Sequence, residues 1–130
     1  MSRSSRAVQA SAARAAELMP GSLEIGRSVL HISPKAAGAE PRFAARFEVG
    51  SRRGTATVEL RTVSRGKSEV VVSLEPATIF DRMLPGRSLR RVGDRFAEAL
   101  RYEIETRAAE ESDAFAARRT SAELVRQRGA

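Results

Sequence analysis

The sequence predicts an α+β domain: an antiparallel β-meander of about five strands, covered by a long C-terminal α-helix and preceded by a short N-terminal helix. Three consecutive segments between residues 42 and 76 alternate apolar and polar side chains, as strands with one buried face do. Near the end of the chain, five apolar residues recur at helical spacing. A sheet with one apolar face needs a cover, and this helix is the element long enough to supply it.

The N-terminal part predicts a short strand followed by a short helix. The segment RAVQA, residues 6–10, favours the strand. Ser11 is a good N-cap for an Ala-rich helix over Ala12 to Met19, and Pro20-Gly21 ends it.

Residues 22–33, SLEIGRSVLHIS, are rich in aliphatic and β-branched residues and precede Pro34. The apolar alternation changes parity between Ile25 and Leu30. We interpret the segment as one strand with a β-bulge near Gly26, which returns both apolar sets to one face.

Three strands joined by tight turns follow, with Gly66 in the second turn where a positive φ is expected. Their inward-facing residues are predicted to be Phe43, Ala45, Phe47, Val49, Ala56, Val58, Leu60, Val70, Val72 and Leu74. Residues 77–86 predict a helical turn that closes one end of the core.

The long helix is predicted from about Leu89 to about Ala117, with Ser88 as its cap. Its apolar stripe consists of Leu89, Val92, Phe96, Leu100 and Ile104. Residues 1–5 are expected to be a flexible N-terminus, 6–117 a single domain, and 118–130 a basic, disordered tail.

Two features of the stripe have alternative interpretations. Gly93 leaves a gap into which either a strand or a ligand could approach. Glu103 is either a polar anchor inside a pocket or the partner of Arg107 in an i,i+4 ion pair where the helix leaves the sheet.

Composition limits the chemistry. The chain has 130 residues, no cysteine and one histidine, His31, so cysteine-ligated zinc and thiolate catalysis are excluded. Nucleotide-binding glycine loops and a G-x-S-x-G elbow are also missing from the sequence. We expect no metal, no cofactor and a non-catalytic role. An enzyme would need Glu103, His31 or Tyr102 as general acid or base within a cavity.

The net charge is +7, and all but Lys35 and Lys67 of the basic residues are arginine. An Arg- and Ala-rich, Lys-poor composition is typical of a GC-rich bacterial genome. The absence of cysteine fits a reducing cytoplasm. The sequence shows neither an apolar run of membrane-spanning length nor the apolar core of a signal peptide, so we expect a cytoplasmic protein.

Three segments carry a family resemblance: RAVQASAARAAELM, GTATVELRTVSRGKSEVVVSLEP and LPGRSLRRVGDRFAEALRYEIE. Together they resemble the opening strand and helix, late hairpin and closing helix of the START-like superfamily of polyketide cyclase and lipid-transfer domains. The resemblance spans about residues 6–108 and implies a helix-grip fold with a cavity for a small apolar molecule or lipid. By this resemblance the cavity is lined by Phe43, Phe47, Val58, Val72, Phe96 and Leu100, with Glu103 as its polar group. The same apolar residues would also form an ordinary core.

The arginines give an alternative function. Arg82, Arg87, Arg90, Arg91 and Arg95 cluster around the start of the long helix. Such a cluster could hold the phosphates of nucleic acid, or another anionic partner, without sequence preference. No aromatic residues interleave with these arginines, which disfavours a base-stacking surface.

Overall fold

A computed structural model describes residues 2–37, 40–77 and 86–128 of the chain, with side chains described outside 35–37, 86–88 and 115–128. Its elements are β1 (Ser2–Val8), α1 (Ala12–Glu17), β2 (Ser22–Ile25), β3 (Ser28–Ala37), β4 (Arg42–Val49), β5 (Arg52–Ser64), β6 (Lys67–Pro76) and α2 (Gly86–Arg128). The predicted α+β class, with an antiparallel sheet, a short first helix and a long last helix, is confirmed. The described residues contain six strands instead of about five.

The six strands form one antiparallel sheet in the order β1-β6-β5-β4-β3-β2. Helix α2 lies against β1 and β6, and it also approaches β2. The strands β1 and β2 are the two edges of the sheet, which would be about 24 Å apart if the sheet were flat, at about 4.8 Å per strand. One helix can approach both edges only because the sheet curls around it.

The extra strand comes from residues 22–33, for which the prediction of one bulged strand is wrong. The segment is a hairpin, in which Gly26 and Arg27 form the turn and Leu23 pairs with Leu30. Gly26 has φ +60°, which glycine adopts without the steric cost of a side chain. After a two-residue turn, the apolar residues fall on odd instead of even positions, or the reverse. A β-bulge has the same effect on the sequence pattern, so the pattern alone does not distinguish the two. The bulge lies further on, between Ile32 and Ala36.

The other local predictions are mostly confirmed. The oxygen of Ser11 accepts a hydrogen bond from the backbone N–H of Arg14 at 3.2 Å, so Ser11 caps α1 as expected. Gly66 has φ +80° in the turn between β5 and β6. The turn before β5 consists of Gly50 and Ser51, and Gly54 lies within the strand.

Both ends of the chain differ from the expected boundaries. Residues Ser2 to Ser5, expected to be flexible, pair with Leu74 to Val71 as part of β1. The polar sequence SRSS has no strand pattern of its own. It becomes a strand because its backbone N–H and C=O groups pair with those of β6. Helix α2 continues to Arg128, past the predicted end near Ala117. Most of the predicted turn at 77–86 lies outside the described residues.

One apolar core fills the space inside the curl. Its buried members come from every described element except β2, whose Leu23 and Ile25 pack against it half-buried. Phe96, Leu100 and Ile104 of α2 are completely buried, as the helical stripe predicted. Leu89 and Val92 are only partly buried, at the beginning of that stripe.

Candidate functional site

The inner face of the sheet brings together the six apolar residues predicted to line a ligand cavity. Phe43 and Phe47 are 3% exposed, and the other four are completely buried. All six belong to one contiguous cluster. The sheet positions four of them by strand alternation, and α2 positions Phe96 and Leu100 one turn apart. The cluster alone is equally compatible with a packed core and with the wall of a pocket.

Two small residues at the centre of the inner face were not singled out as site residues from the sequence. Ala45 of β4 pairs with Ala56 of β5. Their neighbours in the same row across the sheet are Ile32 and Leu74. Two adjacent alanines place only methyl groups where the flanking rows have Phe43 and Phe47. This alanine pair therefore forms a depression in the inner face.

The exposure of the inner face changes across the sheet. We call the inner-face residues of β1 and β6, which lie beneath α2, the helix-covered half. We call those of β3 and β4, together with Ala56, the far half. In the helix-covered half, Val70, Val72 and Leu74 are completely buried. In the far half, Leu30 is completely buried, whereas Ile32 and Ala56 retain 6% exposure and Ala45 retains 8%. Ile32 and Ala45 also line a groove with His31 and Arg46.

The position of α2 explains this difference. Among the described elements, β1 and β6 approach the helix closely, and β3, β4 and β5 do not approach it comparably. A Cβ atom built on Gly93 would lie 2.8 Å from Oγ of Ser4 and 3.6 Å from Cδ1 of Leu74. The gap at Gly93 is thus occupied by strand β1, which decides between the strand and the ligand expected there. The helix is fixed to the helix-covered half at this point.

Two buried hydroxyl groups lie on the same half. Oγ of Ser4 and Oγ of Ser68 are buried and have no hydrogen-bond partner within the described part of the chain. Ser4 pairs with Val72, and Ser68 pairs with Val8, so both residues belong to the β1–β6 pair. These two hydroxyl oxygens lie among apolar side chains, where the β1–β6 pair packs beneath α2.

Phe47 is held against the sheet by a glycine. It pairs with Gly54, and a Cβ atom built there would lie 2.5 Å from Cε1 of the Phe47 ring. The ring therefore covers the backbone of β5, an arrangement that compensates for the missing side chain of a strand glycine.

Glu103 makes the ion pair that the sequence offered as its second interpretation. Its Oε1 accepts a hydrogen bond from Nε of Arg107 at 3.1 Å. Nη1 of Arg107 also donates to the carbonyl oxygen of Leu18 at 3.2 Å. The pair connects α2 to the end of α1, since Leu18 is the C-cap residue of that helix. Glu103 is thus held at the junction of the two helices.

The three candidates for general acid or base lie apart from one another. His31 is exposed and lines a shallow groove on β3 and β4 beside Arg46. Tyr102, 65% exposed, lines a different groove with Arg6 and Ile25. Glu103 lines neither groove. The described residues also hold no cluster of three or more potential metal ligands.

Charged residues join α2 to the edge strand β1. Glu98 accepts hydrogen bonds from Arg101 on the same helix and pairs with Nε of Arg6 at 3.3 Å. Mainly the hydrogen bonds from Arg101, with the charges of Arg101 and Arg6, hold the pKa of the Glu98 carboxyl below its ordinary value. Oε1 of Glu105 accepts from the backbone N–H of Gln9 at 3.0 Å. These contacts hold β1 against the helix.

The arginine cluster is only partly described. Arg90, Arg91 and Arg95 are exposed on the first turns of α2. Arg82 lies outside the described residues, and only the backbone of Arg87 is described. Arg95 also lines the groove that contains Tyr102.

Within the described residues, no helix is both apolar enough and long enough to cross a membrane.

No protein-family model matches the chain, and no curated protein sequence matches it. A solved structure of a START superfamily protein from Mycobacterium smegmatis is similar, with a TM-score of 0.48 and 12% sequence identity. The similarity covers 83% of this chain and 96% of that one. Membership of the START-like superfamily stays a prediction from the sequence.

Proposed function

We propose that the protein binds a small apolar molecule or lipid, without catalysis, between the inner face of the sheet and α2. The ligand lies over the alanine pair Ala45–Ala56, next to Phe43, Phe47 and Val58. Val72, Phe96 and Leu100 form the wall on the helix side. Glu103 is left out of this site, because its carboxylate is paired with Arg107 at the end of α1.

The residual exposure beside the alanine pair is the observation that supports this proposal. Val72 and Leu74, in the helix-covered half, are completely buried. Ala45 instead retains 8% exposure in the centre of the sheet. The helix is fixed over β1 and β6, and in this proposal the ligand occupies the space beside it over the far half.

The chemistry of the far half selects an apolar ligand. The residues around the alanine pair, Leu30, Ile32, Phe43 and Phe47, carry no polar side-chain atom, whereas Ser28 at the start of β3 is a buried serine. Burial of apolar surface there stabilises a complex by about 25 cal/mol per Å². A polar ligand group would lose its hydrogen bonds to water without replacement. A small hydrophobic ligand usually needs a pocket of at least about 300 Å³.

Native mass spectrometry of the full chain purified from cells tests the proposal. We expect a lipid-sized adduct that survives gentle desolvation and is lost after organic extraction. Protein that carries no such adduct, and that takes up no 1-anilinonaphthalene-8-sulfonate when the dye is added, would overturn the proposal.

A pair of neighbouring substitutions shows where the adduct binds. Ala56→Leu fills the depression with three further carbon atoms and is expected to abolish the adduct. Thr57→Val changes the next residue, which alternates to the outer face, and is expected to leave the adduct unchanged. An adduct that persists in Ala56→Leu at the wild-type level would place the ligand elsewhere. Copurifying nucleic acid that high salt removes would instead support the arginine cluster as the functional surface.

A further inference from the structure

The second half of α2 extends beyond the sheet. Ala108 is the last of its described side chains that packs against the core. From there the helix continues over residues 109–128, about 30 Å at 1.5 Å per residue. Residues 109–114 are all exposed. We call residues 109–128 the projecting segment.

The described side chains of the projecting segment, residues 109–114, have little packing to stabilise them. Most helical stability in proteins comes from packing one face against another element, and isolated helices of this length are marginal in water. Within the described residues, the contact of the projecting segment with the rest of the domain lies at its beginning. There Glu111 pairs with Arg14, and Ser112 lines a groove beside α1. An exposed helix of this kind is stabilised when one of its faces packs against a partner.

The charges of the projecting segment are separated along its length. Residues 109–114 include Glu110, Glu111 and Asp113, a formal charge of −3. Residues 115–128 include four arginines and one glutamate, a formal charge of +3. Glu111 pairs with Arg14, whereas Glu110 and Asp113 make no ion pair within the described residues. The acidic part therefore has charges available for a partner.

We propose that the projecting segment pairs antiparallel with the same segment of a second copy of this chain. Two antiparallel copies place the acidic part of each beside the basic part of the other, whereas two parallel copies would oppose like charges. A register centred on residues 115–116 brings 110–113 of one copy alongside 118–121 of the other. Asp113 is then level with Arg118 of the second copy. The contact is twofold symmetric and closes on itself as a dimer.

Sedimentation equilibrium of the full chain tests the pairing. We expect a dimer at low ionic strength whose dissociation constant rises with added NaCl, because the opposed charges are exposed to solvent. The double substitution Arg118→Glu with Arg119→Glu places acidic residues of one copy beside acidic residues of the other. It should raise the dissociation constant of the dimer at least roughly tenfold. Arg52→Glu with Arg53→Glu, at the exposed start of β5, makes the same change in charge and should have no effect. A wild-type chain that is monomeric at all concentrations tested overturns the proposal, as does an undiminished dimer in Arg118→Glu/Arg119→Glu.

A charge-swapped chain tests the antiparallel direction. Glu110→Arg and Asp113→Arg, combined with Arg118→Glu and Arg119→Glu, exchange the two signs within one segment. Two swapped copies again place opposite charges together and should form a dimer of wild-type affinity. A swapped and a wild-type copy place like charges together and should not pair in a mixture analysed by native mass spectrometry. Free mixing of the two chains, or a swapped chain that stays monomeric, contradicts the antiparallel contact.

Discussion

The two halves of the inner face are built from the same kind of residue and are packed differently. In the helix-covered half, α2 comes so close that Gly93 lies against Ser4, and the apolar residues of β6 beneath it are inaccessible to solvent. In the far half, the side chains are equally apolar, but alanines occupy the centre and a few per cent of their surface remains exposed. Residue type alone therefore does not decide which part of a curled sheet becomes core. The position of the helix decides it.

This difference gives the two halves different roles. The helix-covered half carries the contacts that fix α2 in place, including the pair of Glu98 with Arg6 of β1. The far half shares the curl but lies farther from the backbone of α2, so a ligand bound there would leave the main helix–sheet contact intact. A ligand bound there would add to the core without requiring α2 to move.

The largest expected losses of stability come from replacing one buried phenylalanine at a time, on α2 or in the far half. Phe96→Ala deletes a completely buried ring between α2 and the sheet and should lower the free energy of unfolding by about 3–5 kcal/mol. Phe43→Ala in the far half should cost at least about 1 kcal/mol less, because a ring beside a space has fewer packed neighbours to lose. Urea unfolding of both variants measures the difference, and equal losses would show that the two halves are packed alike.

Gly54→Ala should disturb the far half from its edge. The new Cβ atom would meet the Phe47 ring 2.5 Å away and the backbone oxygen of Glu75. A backbone atom cannot move aside cheaply, so we expect a loss of about 1–3 kcal/mol in urea unfolding. Gly21→Ala is the matched control, since a Cβ atom there has no neighbour within 4 Å and should leave stability nearly unchanged. A Gly54→Ala chain as stable as wild type would mean that Phe47 does not rest on this strand.

Gly93→Ala tests the close contact in the helix-covered half. Alanine improves helix propensity by about 1 kcal/mol, but its Cβ atom would lie 2.8 Å from Oγ of Ser4. We expect a net loss of about 1 kcal/mol in the wild-type background and a gain in the Ser4→Ala background, measured by thermal and urea unfolding. Additive effects of the two substitutions would disprove the contact.

The smallest expected effect concerns the ion pairs at the edge of the helix-covered half. The pKa of Glu98 is lowered in the folded chain, so its charged form stabilises the fold above the ordinary glutamate pKa. That contribution is lost as the pH falls through the lowered pKa. NMR titration should show the Glu98 carboxyl moving back toward its ordinary pKa in Arg101→Gln, with a smaller change in Arg6→Gln. An unchanged titration in Arg101→Gln would contradict the assignment.

Most of the fold could be predicted from local patterns. The strands that contain Phe43 and Phe47 follow from alternation, and the stripe of Phe96 and Leu100 follows from helical spacing. The hairpin at Gly26 was missed because a two-residue turn and a bulge change the alternation in the same way. The strand at Ser2–Ser5 was missed because pairing with β6, not local propensity, makes it a strand.

The sequence predicts which residues face the inside of the sheet, but it does not predict how closely α2 packs over them. Alternation identified Ala45 and Ala56 as inward-facing, but their importance depends on the distance between the sheet and α2. That distance is set by Gly93 and Ser4, which are far apart in the sequence. Likewise, the choice between two roles for Glu103 was settled by Leu18, whose carbonyl oxygen holds Arg107. Long-range contacts of this kind leave no local signal in a single sequence.

The most direct test of the account compares one substitution in each half by urea unfolding. Ala56→Leu in the far half and Ala97→Leu on α2, where Ala97 is completely buried, add the same three carbon atoms. We expect Ala97→Leu to lower the free energy of unfolding by about 1–3 kcal/mol through overpacking, and Ala56→Leu to stay within about 0.5 kcal/mol of wild type or to be more stable. If Ala56→Leu loses as much stability as Ala97→Leu, the far half is filled, and no ligand space exists beside the alanine pair.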